Sequence, residues 1–225
     1  MRMTPVIRTA VVTVVLVAAA PSGGHAQTLT FADVPVSSVG STALGASYTT
    51  QGYTFGCQSA DPVNFPECQS LTVLGTTGAE GNGLAEQTLF NNSFVGITTL
   101  ARVDAGAFDL LSWRIAPLFD DQASTILVEG TRQGGGVVTQ SFVLPLGMSG
   151  LATFAFTSDF RALSSVRWRG GGFGPEFVGD AEQVAAITVA PSATAVVPEP
   201  STHALFATGL LALGGVIGRQ RRHLR

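Results

Sequence analysis

Between Gln27 and Val197 the chain contains no histidine and no lysine. Its three histidines, His25, His203 and His223, all lie in the outer segments. Without imidazole, the middle region cannot assemble a Ser-His-Asp triad or a Cys-His pair. Histidine-ligated zinc or iron is excluded for the same reason, whereas calcium, which takes oxygen ligands, stays open. Six arginines stand against fourteen acidic residues in this region, a net charge of −8. A surface of that sign repels phosphate backbones, so no nucleic-acid partner is expected. The whole-chain value of −3 hides the imbalance because both ends are basic. No Gly-x-Ser-x-Gly elbow occurs, and hydroxyls with no imidazole nearby lack their usual base. Neither a catalytic residue nor a cofactor is expected.

What is present begins with the two ends. Arg2 and Arg8 give a basic start, Ala10 to Ala20 an apolar stretch, and Gly24-His25-Ala26 a small-residue cleavage site. Those parts in that order make a secretory signal peptide, residues 1–26, with Gln27 as the expected mature N-terminus. At the other end, Pro198-Glu199-Pro200-Ser201-Thr202 precedes an uncharged run from Ala204 to Gly218 that holds four glycines. As a helix that run reaches roughly 22 Å, short of the ~30 Å hydrocarbon core of a bilayer. Arg219, Arg221, Arg222 and Arg225 follow it, and basic residues beside an apolar segment resist translocation. The physics describes a marginal membrane stop at the end of an exported chain.

This order of Pro-Glu-Pro, short apolar helix and arginine-rich end resembles the PEP-CTERM sorting signal of Gram-negative bacteria. The matching residues are Pro198, Glu199, Pro200, Ser201 and Thr202, with Arg219, Arg221 and Arg222 as the basic end. They belong to about an eighth of the chain; His203 departs from the aromatic or aliphatic residue that relatives often carry. The resemblance implies reading by an exosortase, a membrane protease-transpeptidase, after transient insertion in the inner membrane. Release or transfer to the cell surface would follow, often in bacteria that make exopolysaccharide.

The implied layout is a signal peptide (1–26), a folded domain (27–190) and a linker carrying the Pro-Glu-Pro motif (191–202). An apolar helix (203–218) and a basic tail (219–225) complete it. About 170 residues between the targeting segments suffice for one domain with a sizeable core. That region is rich in Thr, Val, Phe and Gly, and turn residues such as Gly134-Gly135-Gly136 and Pro145-Leu146-Gly147 punctuate it. The pattern predicts an all-β, antiparallel, jelly-roll-like sandwich. Ten strands are expected, at 29–34, 52–55, 71–74, 93–100, 108–116, 125–129, 137–144, 152–156, 164–169 and 185–189. Within the fifth, alternation predicts Leu111, Trp113 and Ile115 on one face and Ser112 and Arg114 on the other. Phe154 and Phe156 likewise share a face. The domain is also similar to the sandwich found upstream of many PEP-CTERM signals, through Thr30-Phe31-Ala32-Asp33-Val34, Tyr53-Thr54-Phe55 and Phe108-Asp109-Leu110-Leu111-Ser112.

Cys57 and Cys68, the only cysteines, are carried by export to an oxidising compartment. They flank a proline-bearing loop, and a structural disulfide there would contribute roughly 2–3 kcal/mol. The alternative, a redox or metal pair, has the wrong spacing. Two acidic groups, Asp120-Asp121 and Asp180 with Glu182, have the chemistry for glycosidic acid-base work or for calcium; solvated loop acids are the commonplace explanation. In Arg167-Trp168-Arg169 the arginines share one strand face and the indole takes the other. Trp168, or Phe173 just beyond, would stack on a sugar if exposed while the arginines grip an acidic polysaccharide. The alternation favours Trp168 in the core. Asn91-Asn92-Ser93 matches a glycosylation sequon and reads better as a turn. The expected function is a structural or adhesive role in an exopolysaccharide-rich envelope. The alternative is a carbohydrate-binding module for an acidic polysaccharide.

Overall fold

The computed structural model describes residues 25–36, 40–66, 68–76, 84–93, 95–118, 123–171 and 182–192. The signal peptide through Gly24, the Pro-Glu-Pro motif, the apolar run and the arginine tail lie outside them. Among the described residues there are thirteen strands and no helix. In chain order they are β1 (Gln27–Thr30), β2 (Ser41–Gly45), β3 (Ser47–Thr50), β4 (Tyr53–Ser59), β5 (Leu71–Leu74) and β6 (Thr88–Asn91). Next come β7 (Gly96–Arg102), β8 (Phe108–Pro117), β9 (Ser124–Arg132), β10 (Val137–Leu144), β11 (Ala152–Ala155), β12 (Leu163–Gly170) and β13 (Glu182–Pro191).

Every pairing is antiparallel, and the strands form two layers. One runs β2-β5-β6-β13-β8-β11, with β1 sharing the β6 edge of β13. The other runs β3-β4-β7-β12-β9-β10. A single pair, Leu163 with Phe108, links them into one hydrogen-bonded array. Gly45, at a φ of 80°, ends β2 on the first layer just before β3 starts on the second. That left-handed turn costs glycine nothing sterically.

The layers face each other through aromatic rings. Trp113 on β8 meets Trp168 on β12 edge to face, with centroids 6.0 Å apart, and Phe142 on β10 lies 5.0 Å from Trp113. Phe154 and Phe156 both pack on Phe142, as their shared face requires. Tyr53 and Phe108 close one end of the core at 5.5 Å. Such pairs add about 0.5–1.5 kcal/mol each beyond their area burial.

Leu111 departs from the expected alternation. Trp113 and Ile115 are buried, but Leu111 is 38% exposed and Leu110 takes its place inside. The cause is a bulge: Thr188 pairs with Ser112 and the next residue, Val189, pairs with Leu110. Leu111 is the extra residue, and everything before it flips face.

Candidate functional sites

The two ends of the folded domain leave from the same pole. Gln27 pairs with Val189, and Pro191 pairs with Phe108 at the start of β8. Ser192 is fastened there: its N–H donates to Ala107 O at 3.1 Å, and its hydroxyl makes a short contact with Asp109. Ala162 N–H donates to both Ser192 Oγ and Asp109 Oδ1, each at 2.9 Å. Gln27 in turn donates through its amide nitrogen to Gln51 O, at 3.1 Å. A chain entering and leaving here is held at one end of the sandwich. Glu182, Pro117, Gly170 and Ser59 mark the opposite end, by the register of β13, β8, β12 and β4.

The Arg167-Trp168-Arg169 stretch is on β12, in the middle of the second layer. Trp168 is 2% exposed, paired with Thr98 on one side and Val128 on the other. Its indole fills the core, so it offers no ring to a sugar; the alternation of β12 put it there. Arg167 stays half-exposed on the outer face, with Nη2 2.7 Å from Glu129 and Nε donating to the same oxygen at 2.8 Å. Arg169 lies on the same side of β12, by the unbroken register to β9, but it is 3% exposed. Burial lowers its affinity for the proton below the ordinary guanidinium value, and the nearby Glu182 carboxylate opposes the shift. Glu182 is itself buried and accepts the Gly170 N–H at 3.1 Å. The sequence does not bring an open cationic groove together here; each arginine has an acid beside it. Asp120, Asp121, Phe173 and Asp180 lie outside the described residues.

Cys57 and Cys68 are bridged, with Cα atoms 5.7 Å apart. The bridge closes the β4–β5 connection at the pole opposite the chain ends. Within that connection Asp61 braces the backbone: it accepts the Asn64 N–H at 3.2 Å and the Asn64 side-chain amide at 2.7 Å. These hydrogen bonds hold its carboxyl below the ordinary range. The Phe65 N–H bonds to Asp61 O at 2.8 Å. Val63 and Phe65 project outward from this frame, Phe65 being 55% exposed. Sequence reasoning passed over Phe65; an aromatic between two prolines inside a cystine loop was the available signal. Asn91, the first residue of the sequon, turns its side chain inward, donating to Thr98 Oγ1 at 3.3 Å. Gly96 packs so closely on it that a Cβ would collide.

No family model and no curated protein matches the chain. Several solved structures resemble it loosely. The N-terminal CBM22-1–CBM22-2 tandem domain of Paenibacillus barcinonensis Xyn10C is 13% identical with a TM-score of 0.42, over 81% of this chain and 49% of that one. The chain thus spans about half the length of that structure. The agarase AgWH50C is 10% identical with a TM-score of 0.31, over 70% of this chain and 25% of that one. The family 11 carbohydrate-binding module of the Clostridium thermocellum cellulase Lic26A-Cel5E is 9% identical with a TM-score of 0.25, over 70% and 97%. At these values the likeness says nothing of a ligand.

Proposed function

We propose that the chain is an exported envelope or extracellular-matrix protein, sorted through its C-terminal segment by an exosortase-type membrane protease, with a structural or adhesive role. The observation that carries this is the ordered C-terminal pattern of Pro198-Glu199-Pro200, uncharged run and arginine tail. Proline fixes φ and removes a backbone donor, which keeps such a segment extended for a protease groove. The fold supplies a compatible geometry. Pro198 is six residues beyond Ser192, a reach of at most ~20 Å. His203 is eleven residues beyond Ser192, at most roughly 40 Å. A tail inserted in the inner membrane would therefore hold the sandwich close, by the pole where its strands end. Cutting at the motif would free the domain without breaking any strand pairing.

Deletion of Pro198–Pro200 is expected to leave uncut protein in the inner membrane, with little on the surface. Unchanged surface delivery of that variant would refute the sorting role.

A carbohydrate-binding role is the second reading, and Phe65 favours it. Among the described residues it is the aromatic side chain left exposed, on a loop braced by the disulfide and by Asp61, at the pole away from the tail. Stacking of a sugar ring on such an aromatic face needs no cation, and the paired state of Arg167 removes the motive for an acidic polysaccharide. On a glycan array the full chain would be retained by a neutral glycan, and Phe65→Ala would lose that retention while Val103→Ser, exposed at the other pole, would keep it. Equal retention of wild type and Phe65→Ala would exclude this site.

A further inference from the structure

Among the described residues the sandwich has five strands with a free edge, and four of them are protected. β1, β3 and β11 are four residues long, and β2 is five residues with an irregular register at Ala43–Gly45. Short or bulged edges are poor templates for another strand. β10 is the exception. It runs for eight residues, Val137-Val138-Thr139-Gln140-Ser141-Phe142-Val143-Leu144, with no charge and no proline. All eight pair with β9 on one side, and among the described residues no strand pairs with the other side. Its outward residues, Val137, Thr139, Ser141 and Val143, are exposed, the two valines at 58% and 61%.

We propose that the β10 edge joins a second copy of this chain, antiparallel and about a two-fold axis at Gln140. An antiparallel strand meeting its own copy is self-complementary, as an isologous contact demands. With Gln140 opposite its counterpart, Val137 faces the partner copy's Val143, and Thr139 faces its Ser141. Both are favourable cross-strand pairs, and the register uses every residue of β10 except Leu144. Gln140 does not obstruct the axis from the outer face. Its side chain turns inward, donating to Ala155 O at 3.2 Å and accepting the Thr157 N–H at 3.0 Å.

Charge does not oppose this edge. The domain carries −8 overall, so two copies repel, but the neighbourhood of β10 is neutral. Glu129, opposite Thr139 on β9, is held by Arg167. Arg132, at the end of β9, stands 3.6 Å from Asp159. Two copies can therefore approach here without a local charge clash. One pair of strands buries less than the ~1,200 Å² of a stable interface, so association is weak in dilute solution and gains where copies are crowded on a surface. The inference rests on the edge alone and stands whether or not the tail is processed.

Sedimentation equilibrium of the full chain in density-matched detergent tests it. Wild type should show a reversible monomer–dimer equilibrium. V137K/V143K places two lysine pairs across the axis and should weaken association roughly tenfold. V137E/V143K places Glu against Lys at the same positions and should restore it. A wild type that stays monomeric at every concentration reached overturns the proposal. So does a lysine variant that associates as tightly as wild type, which would locate the contact elsewhere, such as the C-terminal segment. Failure of the Glu/Lys variant to recover overturns the symmetric register.

Discussion

Trp168→Ala is expected to cost the domain about 3–5 kcal/mol. The indole is wedged between layers, edge-on to Trp113, and its strand is flanked by β7 and β9 along most of its length. Neither neighbour can collapse into the space without breaking the ladder that holds both. A natural domain has roughly 5–15 kcal/mol in total, so the loss is a large fraction of it. The check is urea unfolding followed by tyrosine and remaining tryptophan fluorescence: the midpoint should fall steeply with little change in slope. Trp168→Phe should recover part of the loss. An unchanged midpoint would mean the ring contributes nothing to the core, and a role in stacking on sugar would reopen.

Glu182→Ala is the second large effect. It removes the carboxylate that acts on Arg169 and accepts the Gly170 N–H, while the guanidinium remains buried. Breaking a buried charged pair from one side typically costs about 3–5 kcal/mol, because the remaining charge has lost its compensation. The double variant Glu182→Leu with Arg169→Leu should be less destabilised than Glu182→Ala alone, since the desolvation penalty disappears with both charges. A double variant as unstable as the sum of the two single changes would show that the groups act independently.

The parts of this fold that could be read from sequence were the longer strands and β5. β10 and β5 have the expected boundaries, and β8, β9, β12 and β13 contain the expected cores. Val, Ile, Phe and Trp at alternate positions, closed by glycine turns, signal a half-buried strand. The strands β2, β3 and β6 were not legible. β2 and β3 are short edge strands made mostly of small and hydroxyl-bearing residues, whose identity comes from neighbours rather than from local pattern. β6 has Thr88 and Leu89 both buried, so period-two contrast is absent. Thr88 is buried because it donates to Gln183 Oε1 at 2.6 Å across the sheet, a partner 95 residues away. Arg169 was half legible: alternation sets it on the same strand face as Arg167, and only the fold buries it and brings Glu182 to it. Leu111 fell to a bulge that no local signal announces. The bridge from Cys57 to Cys68 was legible because just two cysteines exist.

Whole-chain mass spectrometry of the protein recovered from producing cells addresses most directly whether the two ends are addresses and the sandwich is the delivered product. The expected species carries the cystine, starts at Gln27 and stops short of the apolar run at Ala204. An intact Met1–Arg225 chain, recovered from the cytosol, would contradict it.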